Sequence, residues 1–171
     1  MKKSFLLIML LFTLGAATPS WSQMAKFKSL FLYNFAQNVG WPESSDQGSQ
    51  FIISVVGDKE IVTELETLAK LKKISGKTIV VKSYSKIKDI GDSNIIYLGS
   101  SKSNLMTLLD ESQKGKSVLI ISSKDGLCTK GACISFILVN GKMRYQISPD
   151  NIAAHGLKVS GKLLALGIKV N

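Results

Sequence analysis

A continuous apolar run in the first half of the chain constrains the fold more than any other feature. The run is FIISVV at 51–56, and it ends at Gly57. Because it does not alternate between apolar and polar residues, it is typical of a strand buried on both faces. Asp58 follows as the predicted N-cap of a helix over 59–70. A strand covered on both sides implies an α/β domain with helices on each face of its sheet.

Strands and helices alternate through the middle of the chain. Further strands are predicted at 78–83, 94–98 and 117–122, and a helix is predicted from about 102 to 113. Strands that are joined by helices need right-handed crossovers, which place neighbouring strands parallel. The sequence therefore predicts a mainly parallel sheet for this region.

The last third of the chain has a different pattern. Two strand-like runs at 133–139 and 142–147 flank Asn140-Gly141, which is the strongest short signal for a hairpin. A short helix at 149–155 and a final helix at 161–168 complete the chain. We therefore expect one α/β domain whose mixed, mainly parallel sheet is flanked by helices and ends in a C-terminal antiparallel hairpin.

The N-terminus has the pattern of a secretory signal peptide. Lys2-Lys3 precedes an apolar run at 5–17, and small residues flank a cut after Ser22. About 13 apolar residues are too few for a membrane-spanning helix, which needs about 20. We therefore expect residues 1–22 to be removed on export and residues 23–171 to form the mature domain.

The chain is basic. Its formal net charge of +10 falls to about +8 when Lys2 and Lys3 leave with the signal peptide. In an exported protein this charge favours anionic lipids, acidic polymers or an acidic protein surface as partners. The lysines are scattered, and aromatic residues do not interleave with them as they do in proteins that bind single strands. Nucleic acid is therefore not an expected partner.

Both cysteines, Cys128 and Cys133, lie in one short segment that also contains Gly and Lys. A metal site, a redox couple and a structural disulfide are the three interpretations. A redox helix favours two intervening residues rather than four, and two cysteines with one histidine are too few for a closed zinc site. In an oxidising compartment the favoured interpretation is a disulfide, which contributes about 2 kcal/mol by closing so short a loop.

Motifs for catalysis and phosphate binding are incomplete. GKT at 76–78 and GKS at 115–117 lack the earlier glycine of a Walker loop, and both precede strands. The single histidine, His155, has Asp150 and Ser160 near it in sequence, but nothing in their spacing brings them together as a triad. No catalytic residue, cofactor or metal is therefore predicted.

The loops that follow the predicted strands suggest an alternative function. Open α/β sheets bind ligands at the carboxyl ends of their strands, and the segments around Gly57 and Gly99 both lie there. Backbone amides in 99–103 suit a small anion, although the serines of that segment also suit ordinary helix capping. The alternative prediction is a domain that binds or senses a small ligand and works with a sensor kinase.

The first predicted helix, over 24–39, is apolar on more than one stripe. One stripe consists of Phe27, Leu30, Phe31 and Phe35, and a neighbouring stripe consists of Leu32, Ala36 and Val39. This exceeds what packing on one sheet face needs, although burial between the sheet and the last helix also explains it. Aromatic and amide side chains are frequent at interfaces, so Tyr33, Asn34 and Trp41 are the predicted contacts of a protein partner.

Several segments resemble the YfiR-like family of periplasmic proteins. LYNFAQNVGWP at 32–42 is similar to the family's opening signature LYNFAKFVEWP, and FIISVVGD at 51–58 is similar to its F-x-I-x-V-x-G-D strand. YQI at 145–147 and GLKVSGKLL at 156–164 are similar to its C-terminal motif. The departures from the pattern, Gly40 in place of an acidic residue and Gly161 in place of Ser, leave the framework intact.

The resemblance implies a regulatory, non-enzymatic function in the periplasm. The best understood members hold the periplasmic sensor domain of an inner-membrane diguanylate cyclase inactive until an outer-membrane lipoprotein sequesters them. By this resemblance the protein is expected to control cyclic di-GMP and biofilm formation, with a homodimer as its expected form. The family commonly has a disulfide in the region of Cys128 and Cys133.

Overall fold

The computed structural model of the protein describes residues 21–43 and 48–170. The main sheet contains β2 (Gln50–Val56), β3 (Lys73–Ile74), β4 (Lys77–Tyr84), β5 (Ile95–Leu98), β6 (Leu119–Ser122), β7 (Ile134–Val139), β8 (Lys142–Ile147) and β10 (Ile168–Lys169). Two short strands outside it, β1 (Val39–Gly40) and β9 (Lys158–Val159), pair antiparallel with each other. The helices are α1 (Trp21–Asn38), α2 (Lys59–Ala69), α3 (Met106–Ser112), α4 (Pro149–Ala154) and α5 (Gly161–Leu166).

The eight strands of the main sheet lie in the order β10-β8-β7-β6-β5-β2-β4-β3. Strands β4, β2, β5, β6 and β7 run parallel, while β3 pairs antiparallel with β4 at one edge. At the other end β8 pairs antiparallel with β7, and β10 pairs with β8 in parallel. Asn140 and Gly141 join β7 to β8 with positive φ angles of 51° and 73°, as a tight hairpin requires. The predicted mixed, mainly parallel sheet with a C-terminal hairpin is confirmed.

The apolar run at 51–56 forms most of β2, and all six of its side chains are buried. The strand lies inside the sheet between β4 and β5, so both of its edges are hydrogen-bonded and both of its faces are covered. This is the arrangement that the absence of polar alternation predicts. Asp58 caps α2 as expected, because its Oδ1 accepts a hydrogen bond from the Ile61 N–H at 3.1 Å.

Helices cover the two faces of the sheet. Helix α1 packs against α2 on one face. The chain moves from β2 to β4 through α2 and, in the opposite direction, from β5 to β6 through α3. Because both crossovers are right-handed, α2 and α3 lie on opposite faces. The neighbouring strands β2 and β5 therefore form the switch point at which the chain direction reverses.

Two predicted helices are shorter than expected. The one predicted over 102–113 starts as a 3₁₀ turn, Ser100–Leu105, before α3 begins at Met106, because the Lys102 N–H bonds to the Gly99 carbonyl oxygen in a tighter turn. The final helix ends at Leu166 rather than at 168. There Gly167 lies against the ring of Tyr145 and allows the chain to continue as β10 beside β8.

Candidate functional site

A cleft of about 740 Å³ opens at the carboxyl ends of the parallel strands. We call it the strand-end cleft. Its floor consists of the segments that follow β2, β5 and β6, and its walls are the first turns of α1 and the hairpin β7–β8. The lining residues are Met24, Ala25, Lys28, Gly57, Asp58, Lys59, Glu60, Ser100, Ser101, Ser123, Lys124, Asp125, Phe136, Ile137, Leu138 and Met143. The cleft thus lies at the edge where open α/β sheets bind ligands.

The switch point itself is closed by contact between two glycines. A Cβ on Gly99 would lie 2.6 Å from the carbonyl oxygen of Gly57, so the two backbones approach as closely as glycine allows. The Ser101 hydroxyl also donates to that carbonyl oxygen at 2.9 Å. The crevice between β2 and β5 is therefore filled by the chain, and the open volume lies beside it, towards α1 and the hairpin.

A hydrogen-bonded polar pair, one member buried and the other partly exposed, lies at the floor of the cleft. The hydroxyl of Tyr97, which is fully buried, donates to Asp58 Oδ2 at 3.2 Å. Burial, followed by the charge of Asp58, raises the pKa of Tyr97. The hydroxyl of Ser123 is close enough to influence the same phenol, but its Oγ is buried without a hydrogen bond of adequate geometry within the described residues. The Ser123 hydroxyl is therefore enclosed beside the Tyr97 phenol.

One amine extends into the apolar part of the cleft. Lys28 Nζ lies 5.9 Å from the centroid of the Phe136 ring. Burial lowers the pKa of Lys28, and the carboxylates of Asp58 and Glu60 oppose that shift from a distance. Among the described residues no carboxylate forms an ion pair with this amine. The cleft thus contains a partly desolvated cation without a counter-charge in contact.

A second feature is an apolar surface on the first helix. Phe27, Leu30 and Asn34 are spaced three and four residues apart, which places them on one side of α1. All three are exposed, with Phe27 53% and Leu30 44% accessible. We call these three residues the outer face of α1. A smaller groove of about 180 Å³ continues from it between α1 and α5, lined in part by Phe31, Tyr145 and Leu166.

The structure separates the three residues that the sequence suggested as partner contacts. Asn34 lies on the outer face of α1 and is exposed. Tyr33 turns towards the sheet edge, where its hydroxyl lies 3.5 Å from the Lys73 carbonyl oxygen. Trp41 packs edge-on against Phe51 with ring centroids 5.1 Å apart. Two of the three thus contact their own chain, while Phe27 and Leu30, which the sequence analysis placed on a helix stripe, are exposed.

The predicted disulfide between Cys128 and Cys133 is not formed in the structure, where both residues are buried free thiols. Cys128 lies in the 3₁₀ turn Leu127–Lys130, and its Sγ donates to the Ser135 hydroxyl at 3.4 Å. The loop is held without the sulfurs, because the side-chain amide of Asn151 donates to the carbonyl oxygens of Cys128 at 2.7 Å and Ala132 at 2.9 Å. Burial raises the pKa of both thiols, that of Cys133 to about 12.

His155 connects three elements from a buried position at the C-terminal end of α4. Its Nδ1 lies 3.0 Å from the Lys116 carbonyl oxygen, so this nitrogen is the donor, and its Nε2 lies 3.4 Å from Asp110 Oδ1. Ser160 instead caps α5 by accepting from the Leu163 N–H, and Asp150 is exposed. The three residues therefore do not assemble into a triad, and His155 instead links α4 to α3 and to the segment before β6.

The described part of the chain has neither a metal-binding cluster nor a membrane-spanning helix. Within residues 21–43 and 48–170 no three Asp, Glu, His or Cys side chains are grouped so that they would bind a metal ion. In the same residues no helix has the length and apolar character that crossing a bilayer demands.

Comparisons with known proteins agree with this architecture. The chain matches a family described as YfiR/HmsC-like over residues 25–168. No curated protein matches it. Its fold is similar to the crystal structure of a conserved domain protein from Vibrio cholerae O1 biovar El Tor str. N16961, with a TM-score of 0.53 and 12% sequence identity. That similarity covers 86% of this chain but 60% of the other, and at this identity it concerns the fold alone.

A single α/β domain with an exposed apolar helix face and an amphipathic cleft is typical of a binding protein. The chain belongs to the YfiR/HmsC-like family, as the resemblance of its first helix, its first long strand and its C-terminal segment predicted. Members of this family are in general periplasmic regulators that act with membrane diguanylate cyclases in cyclic di-GMP signalling.

Proposed function

We propose that the protein is a periplasmic repressor of an inner-membrane diguanylate cyclase. In this proposal it binds the periplasmic domain of the cyclase and holds the enzyme inactive, which lowers cyclic di-GMP and limits biofilm formation. An outer-membrane lipoprotein that sequesters the repressor would release the cyclase. Family membership supports the class of function, because the members in general regulate such cyclases.

The observation that carries the proposal is the exposure of the outer face of α1. A helix on the surface of a soluble domain normally has charged and polar residues on its solvent side. Here Phe27 and Leu30 are about half accessible, and Asn34 lies beside them. Aromatic residues are enriched where proteins bind one another, and charged residues are depleted at the centre of such surfaces. We therefore propose Phe27, Leu30 and Asn34 as contacts of the cyclase.

The charges around this face suggest the chemistry of the partner. Three described segments that pack together, 21–42, 134–148 and 156–170, contain no Asp or Glu. Their cations are Lys26, Lys28, Lys142, Arg144, Lys158, Lys162 and Lys169. Complementary charge accelerates association and excludes wrong partners. The proposed surface on the cyclase is therefore apolar at its centre and acidic around its rim.

A genetic experiment tests the proposed function. We expect deletion of the gene to raise cellular cyclic di-GMP, and expression of the wild-type protein in the deletion strain to restore the low level. The double substitution Phe27→Ser/Leu30→Ser should fail to restore it. The matched control is Leu108→Ser on α3, which removes another exposed leucine, 55% accessible, from the opposite side of the sheet. This control should behave as the wild type does.

Two results would contradict the proposal. One is a deletion strain whose cyclic di-GMP equals that of the parent. The other is full repression by Phe27→Ser/Leu30→Ser, which would remove the outer face of α1 from the mechanism. Thermal unfolding of each purified variant, with its amount in the periplasm, shows whether a loss of repression reflects loss of the folded protein.

A further inference from the structure

The strand-end cleft has the dimensions of a small-molecule site. Its volume of about 740 Å³ lies within the range of about 300–1,000 Å³ that ligand sites occupy. Such sites combine mainly apolar walls with a few polar groups that orient the ligand. Here the apolar wall consists of Met24, Ala25, Phe136, Ile137, Leu138 and Met143. The cleft thus resembles a site for a molecule with a substantial apolar part.

One polar group in the cleft lacks an ionic partner in the fold. Lys28 extends its amine over Phe136, without an ion pair to any described carboxylate. Its side chain is partly buried, so the amine is less well hydrated than that of a fully exposed lysine. Hydrogen bonds to charged groups contribute about 1.5–3 kcal/mol, so an acceptor that carries a negative charge is favoured beside this amine.

The remaining charges limit how much negative charge the ligand carries. Three lysines, Lys28, Lys59 and Lys124, are balanced by three carboxylates, Asp58, Glu60 and Asp125. Asp58 also occupies the N-terminal amide of α2 that a phosphate would use, since its Oδ1 accepts from Ile61. A polyphosphate would therefore meet carboxylates and capped amides. Asp58 and Glu60, which also act on Lys28 from a distance, would repel its several charges more strongly than the single charge of a monoanion.

We propose that the strand-end cleft binds a small amphipathic monoanion, a carboxylate with an apolar tail, whose head group contacts Lys28 and whose tail lies along Phe136, Leu138 and Met143. The site is distinct from the outer face of α1, so the proposal holds whether or not the protein represses a cyclase. The proposed ligand, a carboxylate with an apolar tail, would bind at the same sheet edge where the sequence suggested a small anion.

The test compares probes that differ only in the head group or in the tail. Titration calorimetry with decanoate, decanol and acetate, below any micellar concentration, separates charge from tail. We expect decanoate to bind, decanol to bind about tenfold more weakly, which corresponds to one charge-assisted contact, and acetate not to bind. In Lys28→Met decanoate should lose that advantage, whereas Lys26→Met, which removes an exposed amine from the same helix, should keep it.

Three results would overturn the proposal. They are equal affinity of the wild type for decanoate and decanol, no binding of either probe, and a preference for decanoate that survives in Lys28→Met. Circular dichroism spectra that match the wild type show that Lys28→Met is folded. Flotation with phosphatidylglycerol vesicles shows whether the anion comes from a membrane lipid rather than from a soluble carboxylate. If the protein floated with the vesicles and Lys28→Met did not, the site would bind lipid, and the proposal of a soluble ligand would be wrong.

Discussion

The side-chain amide of Asn151 donates to the carbonyl oxygen of Cys128 at a distance of 2.7 Å. The same amide nitrogen also donates to the carbonyl oxygen of Ala132 at 2.9 Å. One residue of α4 therefore fixes both ends of the loop that contains the cysteines. This loop leads directly into β7, so the position of the hairpin depends on a hydrogen-bonding side chain rather than on a bond between sulfurs.

Replacing the amide of Asn151 should loosen this loop. Asn151→Asp keeps the shape of the side chain but turns both donated hydrogen bonds into contacts between oxygens. We expect a loss of about 2 kcal/mol or more in the free energy of unfolding, because two carbonyl oxygens lose their donor and face a charge. Urea denaturation measures the loss. Asn104→Asp on the exposed surface is the control, and an equal effect of both substitutions would exclude Asn151 as the clamp.

The state of the two cysteines can be read directly by chemical labelling. We expect the protein isolated from the periplasm without reductant to react slowly with iodoacetamide at pH 8, because burial raises the pKa of both thiols and the thiolate is the reactive form. After unfolding in guanidinium, mass spectrometry should detect two added groups. If the unfolded, unreduced protein acquired none, the cysteines would form the disulfide that the sequence suggested.

The stability of the protein should depend on pH through Cys133. Burial raises the pKa of this thiol to about 12, from an ordinary value of 9.0. Between these values the folded protein keeps a proton that the unfolded chain releases, so the free energy of unfolding falls as the pH rises above about 9. From pH 8 to pH 10 the contribution of Cys133 to this loss is about 1 kcal/mol.

Substitution isolates this contribution from that of other groups. Cys133→Ala removes the thiol and retains the buried tyrosines and Cys128. We therefore expect urea denaturation at pH 8 and pH 10 to give a smaller loss of stability for the variant than for the wild type. Identical losses would mean that Cys133 does not hold its proton in the folded protein.

The contact between Gly57 and Gly99 predicts a sharp steric effect. The φ angle of Gly99 is −64°, which any residue adopts. The cost of a side chain there is therefore steric, mainly from the Gly57 carbonyl oxygen at 2.6 Å and also from Asp58 Cβ at 3.1 Å. Gly99→Ala should destabilise the protein by about 1–3 kcal/mol. Gly161→Ala, where a new Cβ meets nothing within 4 Å, should stay within about 0.5 kcal/mol of the wild type. Thermal unfolding compares the two variants. Equal midpoints would show that the backbone at Gly57 shifts to accommodate the new Cβ without loss of stability.

Local sequence patterns were sufficient to predict the fold class and the hairpin. The unbroken apolar letters at 51–56 identified a strand inside the sheet, and Asn140-Gly141 identified the hairpin, because both signals depend on neighbours in sequence. The short strands β3 and β10 were missed, since two residues are too few to show a period. They pair because the chain turns back against β4 and β8, which is a property of the tertiary structure.

The candidate sites were predicted less completely, because they depend on residues that are distant in sequence. Asp58 was identified through capping, but Tyr97, 39 residues later, bonds to its other oxygen. Lys28 and Phe136 come together only when α1 packs on the hairpin. The stripes of α1 were recognised, yet which stripe is buried depends on where α2 and α5 lie. For this reason Phe27 and Leu30 are added to the proposed partner contacts, while the contacts expected of Tyr33 and Trp41 stay predictions.

The most direct test of the proposed repressor is recovery of a cyclase from detergent-solubilised membranes on the immobilised mature protein. Mass spectrometry identifies the retained proteins, and diguanylate cyclase activity is measured in the eluate. We expect the wild type and Leu108→Ser to retain a membrane diguanylate cyclase, and Phe27→Ser/Leu30→Ser to retain at least about tenfold less, since loss of buried interface anchors costs more than 1.4 kcal/mol. Equal recovery by all three proteins, or no cyclase on the wild type, would contradict the proposal.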